Sequence, residues 1–397
     1  MLRDNCYAFD DCACHATVLA AFGLPMFVRL LTTCLLLLLA GGLFAQEVSD
    51  ATRAKDARRV KALLRLENVD LDTLPEAQTS LLRYLETCRG TDEYITLVRR
   101  FKLLAAVPEL LQLAADKGEE TIGVEAMKTL LDFGSNDAVE KELCGMEEAQ
   151  ALKLLSSLRL AADARGNALL MTLVENSERG MPLRAAAVAA VGCNPAGQHL
   201  LLLLVEAGTL AKELNFSAAN ALLSSTDETI RTAAGKHLAL PVTADTKPLP
   251  TISAMVARTG DAAAGKRIFA TTGTCLNCHK VRGDGKEVGP DLSEIGSKLS
   301  KEAFYVSILD PSAGISHNFE TYTFLLEDGT VQNGILLSQI DDEFLVRTAE
   351  AIVCRIPRDS VTEYKKSAVS LMPADLQKAL TAQNLVDVVE YLATLKK

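Results

Sequence analysis

From about Asp50 to Leu240 the apolar residues recur at helical spacing in short segments, each closed by Gly, Asn, Asp or Ser, with hardly a strand signal among them. The segment Ala151–Ala161 is typical. A short amphipathic helix cannot hide its apolar face by itself, so this stretch can fold only by packing each helix on its neighbours. The clearest paired units begin at Met181, His199, Ala218 and Glu228, where Ala-rich and Leu-rich helices alternate. The pattern predicts a mainly α chain that opens with an α-solenoid.

These helices resemble HEAT-type repeats over 46–240, although their period is irregular. Lone helical histidines are commonly packing or surface residues, and His199 and His237 are assigned no role. Pro241, Pro248 and Pro250 then break the pattern and predict a linker over 241–259. A second domain is expected over 260–397.

That domain carries Cys275-Leu276-Asn277-Cys278-His279. On a turn of helix, thiols three residues apart lie on one face, where they can form thioethers with the two vinyl groups of a porphyrin. The adjacent His279 then points at the iron. A Cys-x-x-Cys pair also serves as half of a zinc site or as a redox dithiol. Zinc would need a second ligand pair, and none appears. The other Cys/His cluster, Cys12-Ala13-Cys14-His15, has one residue too few between its thiols. The spacing with its histidine therefore predicts one covalently bound haem c per chain, anchored by Cys275 and Cys278.

Near the N-terminus, Leu30–Ala45 is apolar, follows Arg29 and precedes a polar stretch, so 26–45 reads as a signal peptide cleaved near Ala45. Export to the periplasm is what bacterial haem c attachment requires. The apolar run is shorter than the roughly 20 residues that span a bilayer; left uncleaved, it would serve as an N-terminal membrane anchor. Residues 1–25 read as an upstream extension preceding a true start at Met26, which would remove Cys6, Cys12 and Cys14. Cys88, Cys144, Cys193 and Cys354 sit in apolar neighbourhoods and are expected as small buried hydrophobes, with a long-range disulfide open to them in an oxidising compartment.

Over 397 residues the formal charge is −10, and no Lys/Arg-rich block occurs, which removes the electrostatic footprint of a nucleic-acid binder. An acidic carrier favours a partner with a basic patch. No GxGxxG loop, quinone-cofactor site or second Cys-x-x-Cys-His is present, so the chain reads as an electron-transfer protein rather than an enzyme. Electrons must come from another protein.

Gly260–Phe269 reads as an acid-capped helix running into the Cys pair, and Leu385–Leu395 as a closing helix. Together they resemble class I cytochrome c. The resemblance implies a crossing of first and last helices at Gly265, Phe269 and Tyr391. It further implies that the Pro290 carbonyl, in Val288-Gly289-Pro290-Asp291-Leu292, accepts the proton of the His279 imidazole. Met372, in Ser370-Leu371-Met372-Pro373-Ala374, would be the sixth ligand of the iron, with His317 as rival. Between these motifs, Glu320–Leu326, a hairpin signal at Asp328-Gly329, Thr330–Leu337, Glu343–Thr348 and Ala351–Ile356 predict a four- or five-stranded sheet or barrel inserted over 318–364. The whole of 260–397, with Ser307–Ser312, looks like the haem-binding domain typical of planctomycete and verrucomicrobial proteins.

The leading expectation is a periplasmic monohaem cytochrome passing single electrons from a partner dehydrogenase to a respiratory acceptor, a cytochrome or an oxidase. One alternative is a haem enzyme whose open sixth position reacts with peroxide or small gases. The other is an interaction scaffold built from the helical repeats.

Overall fold

The computed structural model describes residues 49–67 and 69–397; the expected upstream extension 1–25 and the expected signal peptide 26–45 lie outside them. By packing, the chain divides into two compact units, one ending at Thr87 and the other Cys88–Lys397. Among the described residues there are sixteen α-helices and a small β region, so the chain is mainly helical.

In the first unit, α1 (Asp50–Leu63) and α2 (Pro75–Thr87) pack together. Ser49 caps α1 by accepting from Thr52 N, and Pro75 opens α2, where its missing N–H costs nothing. Arg83 donates two 2.8 Å hydrogen bonds to the buried carboxylate of Asp56. That guanidinium holds the Asp56 carboxyl below the usual carboxylate range.

The second unit begins with ten helices: α3 (Asp92–Arg100), α4 (Val107–Asp116), α5 (Thr121–Asp132), α6 (Asn136–Gly145), α7 (Glu148–Ala161), α8 (Asn167–Glu175), α9 (Met181–Val191), α10 (Pro195–Ala207), α11 (Asn215–Leu223) and α12 (Glu228–Ala234). Their main packings join near neighbours in sequence: α4 on α5, α7 on α4, α5 and α9, and α9 on α8 and α11. Buried leucines such as Leu110, Leu130, Leu154 and Leu183 form the seams, each side chain contributing ~1.5–3 kcal/mol of burial. Where α8 and α10 begin, Asn167 and Asn194 exchange two amide hydrogen bonds of 3.0 and 2.9 Å inside the fold, and Asn194 also caps α10 by accepting from Gly197 N.

The segment 241–259, expected as a linker, is built into the fold. Leu249 and Met255 belong to the same buried apolar cluster as Phe269 and Leu385, and Phe216 and Leu240 pack against it. Helix α13 (Ile252–Val256) starts where Ile252 N donates to Asn220 Oδ1, and Ala244 N donates to Leu380 O. The prolines stop the helical pattern as expected, but the large apolar residues near them would cost too much left in water.

The last 138 residues are organised by α14 (Ala262–Ala270), α15 (Lys301–Leu309) and α16 (Ala382–Thr394). Asp261 caps α14, and Thr381 with Asn384 forms a capping box on α16. The two helices cross at Gly265, where Phe269 meets Tyr391 edge to face with centroids 5.6 Å apart. Buried Asp387 ties the crossing by accepting from Asp261 N and Gln383 Nε2.

A two-residue ladder, β1 (Lys280–Val281) with β2 (Asp284–Gly285), turns over Arg282 and Gly283, both with positive φ. The insertion is a five-stranded antiparallel sheet of β3 (Thr321–Leu326), β4 (Val331–Gln339), β5 (Glu343–Arg347), β6 (Val353–Pro357) and β7 (Val361–Lys366), in the order β6-β5-β4-β3-β7. Its hairpin turns at Asp328-Gly329, where Gly329 takes φ +81° and Asp328 Oδ1 accepts from Thr330 N. Phe324, Phe344, Val346 and Ile356 make a separate small core on one of its faces.

The cysteines correct one expectation. Cys88 is buried, but Cys144 and Cys193 are exposed and Cys354 is half-buried, and no two of the four form a disulfide. Apolar neighbours in sequence do not bury a residue at a helix end: Cys144 lies in the final turn of α6 and Cys193 just beyond α9. Among the described residues no helix is long and apolar enough to cross a membrane.

Candidate functional site

Helix α14 ends at Ala270, and the chain turns back through Thr274, held at φ +53°, into a 3₁₀ turn over Cys275–Asn277. Cys278 N and His279 N both donate to Cys275 O, at 3.1 and 2.8 Å. This short helical turn presents Cys275, Cys278 and His279 to a single cavity of about 410 Å³. Burial pushes the Cys275 thiol up to about 11 and raises that of Cys278. Both are protonated thiols at neutral pH, the opposite of the low-pKa thiolate that a redox dithiol needs.

His279 is fixed by the consecutive residues Val288, Gly289 and Pro290. Its Nδ1 lies 2.9 Å from Pro290 O; a carbonyl can only accept, so Nδ1 carries the proton and Nε2 keeps its lone pair. Burial lowers the imidazole's pKa, favouring the neutral ring that binds metals. Gly289 lies flat against it: a Cβ at that position would fall 2.5 Å from His279 Cε1. Val288 N and Gly289 N both donate to Cys278 O, at 2.9 and 2.8 Å, which holds the Val-Gly-Pro segment against the turn.

Met372, Leu371 and Pro373 line the same cavity, so the structure brings together all five residues singled out in the sequence: Cys275, Cys278, His279, Pro290 and Met372. The rival His317 is not among the lining residues. Its side chain is 88% exposed, with Nδ1 3.6 Å from Glu320.

The sequence did not disclose the rest of the wall. Pro311, Ile315 and Phe319, in the loop after α15, line the cavity, and so do Ile335 of β4 and Ala349 in the β5–β6 turn. The inserted sheet therefore forms part of the chamber. Ile335, Thr321 and Arg347 stand side by side across the strands, and Arg347 Nη1 donates to the carbonyl of Glu287, three residues before Pro290. Strand alternation could have shown Ile335 leaving the Phe324–Phe344 side of the sheet, but not what it would meet there.

Two thiols, a neutral imidazole with a free nitrogen and a thioether, set in a chamber lined mainly by apolar residues, fit the thioether anchors and iron ligands of haem c. No group of three or more His, Cys, Asp or Glu residues suited to a bare metal ion occurs among the described residues.

Residues 262–324 match the family model described as cytochrome c. The match runs from the start of α14 into β3, so it takes in the Cys-x-x-Cys-His turn and Pro290 and ends where the inserted sheet begins. It supports a c-type cytochrome domain, and with it covalently bound haem c and electron transfer. No curated protein matches the chain.

Proposed function

We propose that the chain is an exported monohaem carrier of single electrons, in which Cys275 and Cys278 would anchor the porphyrin and His279 Nε2 and Met372 Sδ would supply the protein ligands of the iron. When bound, the haem supplies a reversible Fe(II)/Fe(III) couple. Pro290 keeps the His279 tautomer and Gly289 allows the ring to sit where it does, while most of the chamber's lining is apolar. Methionine–histidine ligation in such a chamber raises the potential. The single observation that carries this reading is that Met372 lines the chamber in which His279 is held with Nε2 unshared, while His317 faces solvent.

The donor and acceptor are proposed as a dehydrogenase and a respiratory cytochrome or oxidase. The acidic net charge suits partners with basic patches. The helices of 88–240, which pack mainly on near neighbours, are consistent with a HEAT-like scaffold that docks one of those partners. Export to the periplasm rests on the leader at 26–45. The domain as a whole is assigned to the planctomycete and verrucomicrobial haem-binding type on its motifs and its inserted sheet.

The test is to express the exported chain with a haem-maturation system and record oxidised and reduced spectra of wild type and Met372→Ala. The wild type is expected to show c-type bands and the weak long-wavelength sulfur-to-iron band, and the variant to keep the pigment, lose that band and fall markedly in potential. Identical spectra and potentials would sink the ligand assignment, and absence of covalent haem would sink the function.

A further inference from the structure

One hydrogen bond ties the methionine loop across the chamber, beside the packing of Met372 itself against the main core. From β7 the chain passes through Ser367, whose N donates to Thr321 O, and reaches Met372 five residues later. Two bonds within the loop stiffen it: Val369 N donates to Ser367 Oγ at 3.0 Å and Met372 N to Ser370 Oγ at 3.2 Å. Beyond its base at Ser367, and among the described residues, the one hydrogen bond that leaves 368–372 for another element runs from Ser370 N to Ser312 Oγ, at 3.1 Å.

Ser312 is a firm anchor. It sits between Pro311 and Ala313, both buried, in a turn closed by Ala313 N donating to Asp310 O at 2.9 Å. That turn follows α15, whose Phe304, Tyr305 and Ile308 lie in the main core. Pro311 itself lines the chamber. Val369, by contrast, is 66% exposed, so packing does little to hold that part of the loop.

We infer that Ser312 is a positioning residue for the sixth ligand: through Ser370 it holds the 368–372 loop against the chamber wall and so governs how readily Met372 gives way to another ligand. The inference rests on Met372 being the axial ligand. A neutral hydrogen bond of this kind shifts an equilibrium roughly two- to tenfold.

The experiment compares Ser312→Thr and Ser312→Val, which share a shape and differ in the hydroxyl, by titrating each ferric holoprotein with imidazole and following the sulfur-to-iron band. Ser312→Val is expected to bind imidazole roughly two- to tenfold more tightly than wild type, and Ser312→Thr to match wild type. Equal affinities in all three, with the band present throughout, would overturn the tether and leave Met372 as ligand. Equal weakening by Thr and Val would also overturn it, since bulk rather than the hydroxyl would be the cause. A wild type that lacks the band and takes imidazole as Met372→Ala does would overturn the ligation itself. Should the Val variant not fold, Ser312→Ala, smaller than serine, replaces it in the same comparison.

Discussion

A Cβ on Gly265 would lie 1.9 Å from the carbonyl oxygen of Asp387. The first and last helices of the haem-bearing region therefore meet backbone to backbone, and only glycine permits the crossing that seats Phe269 on Tyr391.

Gly265→Val should accordingly destabilise the second unit by at least ~1–3 kcal/mol, the range for forcing extra methyl groups into a packed interior. Denaturant unfolding followed by far-UV circular dichroism measures this. A midpoint equal to wild type would mean that the helices separate without cost.

Tyr305, 1% exposed on α15, has its phenol pushed up to about 12, first by burial and then by the charge of Glu390. A group whose folded pKa exceeds its unfolded value, about 10 for tyrosine, contributes stability that is complete below the unfolded value and lost as pH rises through the folded one. Unfolding free energy should therefore fall between pH ~10 and about 12. Tyr305→Phe should flatten that part of the profile, and parallel profiles for the two proteins would refute the assignment.

Ile335→Ala tests whether the inserted sheet walls the chamber. Its side chain is 3% exposed, so removing three carbons should cost ~2–5 kcal/mol in stability and let water approach the haem, lowering the potential. Potentiometry and urea unfolding together decide the matter. A drop in stability with no change of potential would confine the sheet to a structural part.

Asn167 and Asn194 form a closed pair, so their substitutions should not add. Asn194→Ala removes the cap of α10 and leaves a buried amide without its partner, for ~2–4 kcal/mol in all. Asn167→Ala on top of it should cost clearly less than it does alone. Additive losses in a double-mutant cycle would show that the two amides act independently.

Much of the site was legible because its chemistry is local in sequence. Cys275, Cys278 and His279 fall within five residues, and Val288-Gly289-Pro290 follows closely enough to fold back on them. Helix existence in 50–240, the insertion of strands and the hairpin at Asp328-Gly329 were legible for the same reason: periodicity and turn chemistry act over a few residues. What stayed hidden depends on contacts between distant segments. Nothing around Ile335 or Ala349 tells that they meet a cavity lined by Cys278, and nothing in Pro311-Ser312-Ala313 announces a bond to Ser370. Cys144 and Cys193 misled because apolar neighbours describe a stretch of chain, whereas exposure depends on where on a helix the residue falls.

Leu249 and Met255 carry a practical lesson for anyone wishing to cut the molecule down. Proline spacing invites a fragment beginning at Gly260, yet such a piece would lose two side chains of its own interior and bare the face of α16 and α15 on which they rest. A soluble minimal fragment has to start upstream of Leu249, and even then it leaves uncovered the surface against which Phe216 and Leu240 pack. The pigment-bearing end of this chain is thus packed as the terminal part of the larger compact unit Cys88–Lys397.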